Sequence, residues 1–213
     1  MRLYEEFTHT IEIEKSRFIC ILSRVFSEAE AREKIQSIRK AMPDATHHCT
    51  AFVIGENNEL ARSNDDGEPS GTAGAPMLNI ISSKKITNIL VVVTRYFGGT
   101  LLGTGGLVRA YSGATKAGLE ASLVITKKHG QKLTIDTDYT GLGKIQYILG
   151  QRGLTILNSI YTDKVALEVL LPEDDIKPVM DEIREGTNGQ AVMELKEECY
   201  FASVEGNIEI FEN

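Results

Sequence analysis

The sequence predicts an α+β protein in two parts. Three observations carry that expectation: an apolar, β-branched run set among helical patterns in the first half, a strand-helix-strand-strand-helix-strand order in the second, and opposite charge on the two halves. With 213 residues, 42% hydrophobic and 25% charged, the chain suits one large or two small globular domains.

Taken in order, residues 17–25 read as a strand. Ser27-Glu28-Ala29-Glu30 is a capping box, after which Ala31, Ile35, Ile38 and Met42 recur at helical spacing until Pro43. Residues 46–54 read as the next strand, joined through the polar turn 55–58 to a short strand near Leu60. Residues 63–74 form a loop of turn-formers and acids, and 75–82 have helical character. Ile89-Leu90-Val91-Val92-Val93 suits a central strand, and 107–122 follows as a helix. Ala110, Ala114, Ala117 and Ala121 give that helix a small-residue stripe for close packing.

In the second half, residues 132–138 alternate as a strand and Thr140 can cap a helix carrying Leu142, Ile145 and Leu149, ending at the glycines of 150–153. Strands at 154–161 and 165–171 come next, then a helix with Asp174 and Asp175 at its positive end, Ile176, Val179, Met180 and Ile183 on one face, and Gly186 past its end. A last strand spans about 190–201. That order is the ferredoxin-like βαββαβ arrangement. A boundary near His129-Gly130 divides the chain into domains 1–130 and 131–213.

Residues 1–133 hold 17 Lys+Arg against 14 Asp+Glu, and 134–213 hold 6 against 16. The basic half can meet a phosphate-bearing partner that the acidic half would repel. No stretch has the roughly 20 apolar residues of a spanning helix, and the start lacks a signal-peptide run, so a cytoplasmic protein without a membrane partner is expected. Cys20, Cys49 and Cys199 are odd in number and form no CxxC, which points to buried, reduced thiols.

The strongest candidate site is the glycine-rich strand-to-helix junction at 95–109, with five glycines (Gly98, Gly99, Gly103, Gly105 and Gly106) in nine residues. Such a loop brings free amides and the positive end of a helix to one place. Arg95 and Arg109 can add charge-assisted hydrogen bonds, with Tyr96 and Phe97 beside them. The junction reads as an anion cradle; the alternative is a tight crossover whose arginines pair with the acids of the preceding loop. It matches neither Walker A nor a full G-x-G-x-x-G.

That preceding loop gathers Asp65, Asp66 and Glu68 with Ser70 and Thr72. Its expected role is to sit against Arg95 or Arg17 and close the same cleft. No catalytic residue is assigned, and no cofactor or metal is expected. His47-His48-Cys49 on a strand points two side chains one way and one the other, which suits a core or cleft-edge role.

The strings of residues 65–74, 92–99 and 102–111, preceded by Ser16-Arg17-Phe18-Ile19, closely resemble the YigZ/IMPACT family over the whole chain. The resemblance implies a first domain with the βαβ-rich fold of a small-subunit ribosomal protein, elongation factor G domain IV and the galactokinase and mevalonate kinase group. It implies a second domain similar to elongation factor G domain V. For eukaryotic IMPACT it implies restraint of a translation-initiation-factor kinase through competition for its ribosome-bound activator, a role resting largely on a further amino-terminal domain. Two functions stand side by side: a non-catalytic, translation-associated regulator binding RNA, the ribosome or a ribosomal protein partner through the cleft, and an enzyme or sensor acting on a small phosphorylated or carboxylated metabolite.

Overall fold

A computed structural model describes residues 1–204 and 206–211. The chain is of mixed α+β construction and divides into two compact units, Met1–Ile125 and Thr126–Asn213. The expected boundary at His129-Gly130 instead falls inside a strand.

In the first unit, β1 (Arg2–Leu3) pairs with β7 (Val124–Ile125) as a small ribbon. The main sheet has the order β2-β3-β6-β4-β5, with every neighbouring pair antiparallel. Its strands are β2 (Phe7–Ile13), β3 (Ser16–Arg24), β4 (His47–Ile54), β5 (Leu60–Asn64) and β6 (Ile89–Tyr96). Three helices accompany them: α1 (Glu28–Ala41), α2 (Gly74–Ser83) and α3 (Gly103–Ala121).

β6 is apolar over its first five residues, 89–93, because both faces of the sheet are covered there. Ile89, Val91 and Val93 join Phe18, Cys20, Cys49 and Ala51 in the core that holds Met77 of α2 and Ala110 and Tyr111 of α3. On the other face Leu90 and Val92 pack with Phe52, Ile54 and Ala31 of α1. Ser27 caps α1, its Oγ accepting from the Glu30 N–H at 3.1 Å, and the Glu30 carboxylate reaches back one residue past the cap to accept from the Phe26 N–H at 2.8 Å. α3 lies close on the sheet through Ala110, Ala114 and Gly118, a spacing of four; Ala121 of the expected stripe is exposed. A Cβ on Gly118 would stand 2.7 Å from Cys20 Sγ.

The second unit consists of β8 (Lys128–Thr137), α4 (Tyr139–Gln151), β9 (Ile156–Tyr161), β10 (Val165–Pro172), a 3-10 turn at Glu173–Asp175, α5 (Ile176–Gly186), β11 (Val192–Val204) and β12 (Asn207–Phe211). Its sheet runs β12-β11-β8-β10-β9, again antiparallel at each pairing. Ile145 and Leu149 of α4 and Val179 and Ile183 of α5 bury Leu133, Ile135, Val165 and Leu167 on one face.

Three local expectations change. The cap of α4 is Asp138, whose carboxylate accepts from the Gly141 N–H at 2.8 Å, rather than Thr140. Gly186 ends α5 from within; the reversal after it uses Asn188 and Gly189, at φ 50 and 75. β12 adds a strand beyond the six elements read from the pattern.

Candidate functional site

The end of β6, the loop before α2 and the start of α3 enclose a cavity of about 450 Å³ in the first unit. Its apolar wall is Pro69, Phe97, Leu101, Leu102 and Leu107, and its polar groups are Thr46, His47, Glu68, Arg95 and Thr104. The alternation of strands decides this membership. His47 and Arg95, opposite each other across β4 and β6, share a face with Cys49 and Val93.

The same alternation removes two expected members. Arg17 and Tyr96 are partners across β3 and β6 on the opposite face, where the guanidinium stacks 4.5 Å over the tyrosine ring. Neither lines the cavity. His48 also faces that way, its Nδ1 3.0 Å from Thr94 Oγ1, and burial followed by the Arg39 charge lowers its pKa.

At the cavity floor Glu68 Oε1 accepts from Arg95 Nη1 at 2.6 Å and from the Tyr111 hydroxyl at 2.8 Å, and lies 3.9 Å from His47 Nε2. Both side chains of the ion pair are almost wholly buried, at 6% and 4% exposure. The Arg95 guanidinium sits 5.5 Å from each of the Phe18 and Phe97 rings, reaches Ser16 Oγ at 3.4 Å, and keeps its Nε–H without a partner among the described residues. Burial first, then Cys49 and Glu68, push the Tyr111 phenol well up, so it remains a donor. Burial likewise pushes the Cys49 thiol up to about 12, which holds it as an inert thiol. His47 Nδ1 lies 2.8 Å from the Asp66 carbonyl; a carbonyl only accepts, so Nδ1 carries a proton.

The acidic loop does not act as a unit. Only Glu68 faces Arg95. Asp65 accepts from the Gly71, Ala73 and Gly74 N–H groups at 2.8, 3.0 and 2.8 Å and so holds the entry to α2. Asp66 accepts from the His48 N–H at 2.6 Å and pairs with Arg39 of α1. Thr72 donates to the Pro69 carbonyl at 2.6 Å, and Ser70 is exposed outside the cavity lining. Although burial raises it, the three N–H groups hold the Asp65 carboxyl below its ordinary value. Asp65→Ala is expected to cost about 1–2 kcal/mol at neutral pH, as loss of a helix cap does. A depressed carboxylate contributes above its unfolded pKa of about 3.9 and ceases to contribute as pH falls through the folded value. Denaturant unfolding should therefore show the gap between wild type and variant at pH 7 and its narrowing as pH falls below the unfolded value of about 3.9.

The glycines divide by cause. Gly99 and Gly103 take the left-handed backbone, at φ 86 and 67. Gly98 is needed for space, since a Cβ there would lie 2.0 Å from the Lys15 carbonyl carbon. Gly105 and Gly106 belong to the first turn of α3, which begins at Gly103, four residues earlier than the pattern indicated. That turn has no side-chain cap and no acidic residue, leaving its N–H groups without intrahelical acceptors. Arg109 is exposed, outside the cavity lining, with no hydrogen bond or ion pair among the described residues.

The pattern gave no role to Tyr111, Ser16 or the wall residues Leu101, Leu102 and Leu107. Tyr111 carried a usable signal: a hydroxyl-bearing side chain flanked by Ala110 and Ala114 on the packing face of α3.

Fold and cleft together define a two-unit α+β protein with an apolar recess over a buried, internally neutralised arginine. Residues 14–119 match the Impact N-terminal domain and residues 135–190 a domain of unknown function, DUF1949. The chain is 42% identical over 200 residues to IMPACT family member YvyE of Bacillus subtilis, covering 94% of this chain and 92% of that one. It is 42% identical over 163 residues to IMPACT family member YigZ of Escherichia coli, covering 76% and 80%. A crystal structure of a hypothetical protein, 36% identical, superposes with a TM-score of 0.57 over 92% of this chain and 96% of that one. The chain belongs to the IMPACT family.

Proposed function

We propose that the protein is a non-catalytic regulator of translation that recognises the ribosome or a ribosome-bound partner through the cleft of its first unit. Family membership and the role implied for eukaryotic IMPACT support the setting. The observation that carries the binding mode is the rim: Leu101 is 87% exposed and Phe97 46% exposed, both over the cavity. Large apolar side chains held in solvent around a recess mark a protein-recognition surface. The arginine that lines the cavity, Arg95, already faces a carboxylate, which favours a protein surface over a phosphate backbone. The groups that catalysis would need mobile are held: Glu68 between Arg95 and Tyr111, Cys49 as a neutral thiol.

The finer fold reading belongs with this proposal. The central order β11-β8-β10-β9 is the strand order of a ferredoxin-like unit, in keeping with an elongation-factor-like pair of domains, the first akin to domain IV and the second to domain V.

Co-sedimentation with ribosomes at low and moderate salt tests the function. Wild type should appear in the ribosomal fraction at both, because an apolar contact survives salt that weakens phosphate binding by orders of magnitude. Leu101→Asp should lower the bound fraction about tenfold, the effect of about 1.4 kcal/mol at a contact residue. Absence of the wild type from ribosomes at both salts overturns the reading, and steep loss with salt unaffected by Leu101→Asp replaces it with RNA-backbone binding.

A further inference from the structure

We infer that the cavity over Arg95 is a receptor for a carboxylate carried on an apolar body, with the acid group at the start of α3 and the apolar part against Phe97, Leu101 and Leu107. The inference rests on the reading of this cleft as the recognition site and names the chemistry it takes.

Four observations converge. The volume of about 450 Å³ lies within the range of ligand sites and far exceeds what one water needs. The 19-residue helix α3 opens onto the cavity through Gly103 and Thr104 with neither a side-chain cap nor an acid in its first turn. Its free N–H groups and positive end lack an acceptor that the chain itself supplies. Arg95, 5% exposed and lining the same cavity, retains an Nε–H unpartnered among the described residues, the kind of buried orphan donor that is rare unless something else completes it. Beyond Thr46, His47 and Glu68 the rest of the wall is the hydrocarbon of Pro69, Phe97, Leu101, Leu102 and Leu107, which leaves room for an acyl or aliphatic body.

Charge sets the valence of the ligand. Glu68, 2.6 Å from Arg95, cancels the buried positive charge, so the helix end supplies only about half a unit. One negative charge shared among several N–H donors suits that field. A phosphate dianion would bring a second negative charge beside the Glu68 carboxylate, beyond what the half unit of the helix end offsets. The site is therefore matched to a carboxylate, and the phosphate-bearing ligand expected from the glycine pattern fits it poorly.

The test uses the purified full chain in thermal-shift and NMR titrations with hexanoate, hexanamide and inorganic phosphate, and with a Leu-terminated tetrapeptide as its free acid and its amide. Hexanoate or the peptide acid should bind saturably and at least tenfold more tightly than the matching amide, with no response to phosphate. The peptide acid binding more tightly than hexanoate identifies a protein terminus as the source, and the reverse order identifies a free organic acid. Thr104→Glu, an exposed position in the first turn of α3, places the chain's own carboxylate at the helix start. It should leave the melting temperature equal or higher and abolish binding. Binding of neither acid, equal binding of acid and amide, binding of phosphate as tight as that of the acids, or undiminished binding by Thr104→Glu overturns the inference. Leu101→Asp-sensitive ribosome binding in a protein that takes no carboxylate would leave the proposed function standing and remove only this one.

Discussion

Glu68→Ala should destabilise the first unit by about 3–5 kcal/mol, the cost of leaving one member of a buried ion pair alone. The magnitude follows from what remains. Arg95 would keep its charge at 6% side-chain exposure, and the Tyr111 hydroxyl would lose its acceptor on a fully buried ring. The phenol cannot respond by ionising, because burial already pushes it well up. Glu68→Gln keeps an acceptor for both donors and should cost roughly half as much. The double variant Glu68→Ala/Arg95→Met removes both charges together and should recover most of the loss, since apolar replacement of a buried pair is often close to neutral. Denaturant unfolding of wild type, Glu68→Ala, Arg95→Met and Glu68→Ala/Arg95→Met forms a double-mutant cycle. A coupling energy near zero would mean that the pair does not hold the cavity floor.

The importance of Glu68 shows where the sequence could and could not be read. That an acid of the 65–68 loop meets Arg95 or Arg17 was an available expectation. Which acid it is was not available: Asp65, Asp66 and Glu68 differ by a turn whose course depends on a positive φ of 46 at Asp66 and 85 at Gly67. Arg17 failed for a related reason. A single step along a strand reverses the face, and nothing in Ser16-Arg17-Phe18 marks the inward residue until the core is known. Conversely, α1 and β6 were legible because their signals are local: a cap at Ser27 with Glu30 reaching back past it, and a run that is apolar on both faces. The β2–β3 hairpin was not, since its turn places Glu14 and Lys15 in the left-handed region, at φ 47 and 63, positions where Asn-Gly or Asp-Gly is the usual signature.

That hairpin leads to the second large effect. Gly98→Ala should cost about 3 kcal/mol or more, the upper end of overpacking penalties, although Gly98 lies in a loop. Its Cβ would come within 2.0 Å of the Lys15 carbonyl carbon, 2.1 Å of its oxygen and 2.4 Å of the Ser16 nitrogen. These are backbone atoms of a tight turn, which cannot rotate aside as a side chain does. The Gly98 N–H also donates to Ser16 Oγ at 3.1 Å, the same oxygen that Arg95 Nη2 reaches at 3.4 Å. Displacing Gly98 therefore loosens the Nη2 contact of Arg95, while Nη1 keeps Glu68, and ligand affinity should fall together with stability. Gly99→Ala supplies the contrast: its Cβ would meet nothing within 4 Å and the residue bears only the strain of φ 86, about 1 kcal/mol. Denaturant unfolding ranks the two. A Gly98→Ala protein as stable as Gly99→Ala would mean that the glycine-rich junction does not press on the hairpin, and that Arg95 is positioned by Glu68 alone.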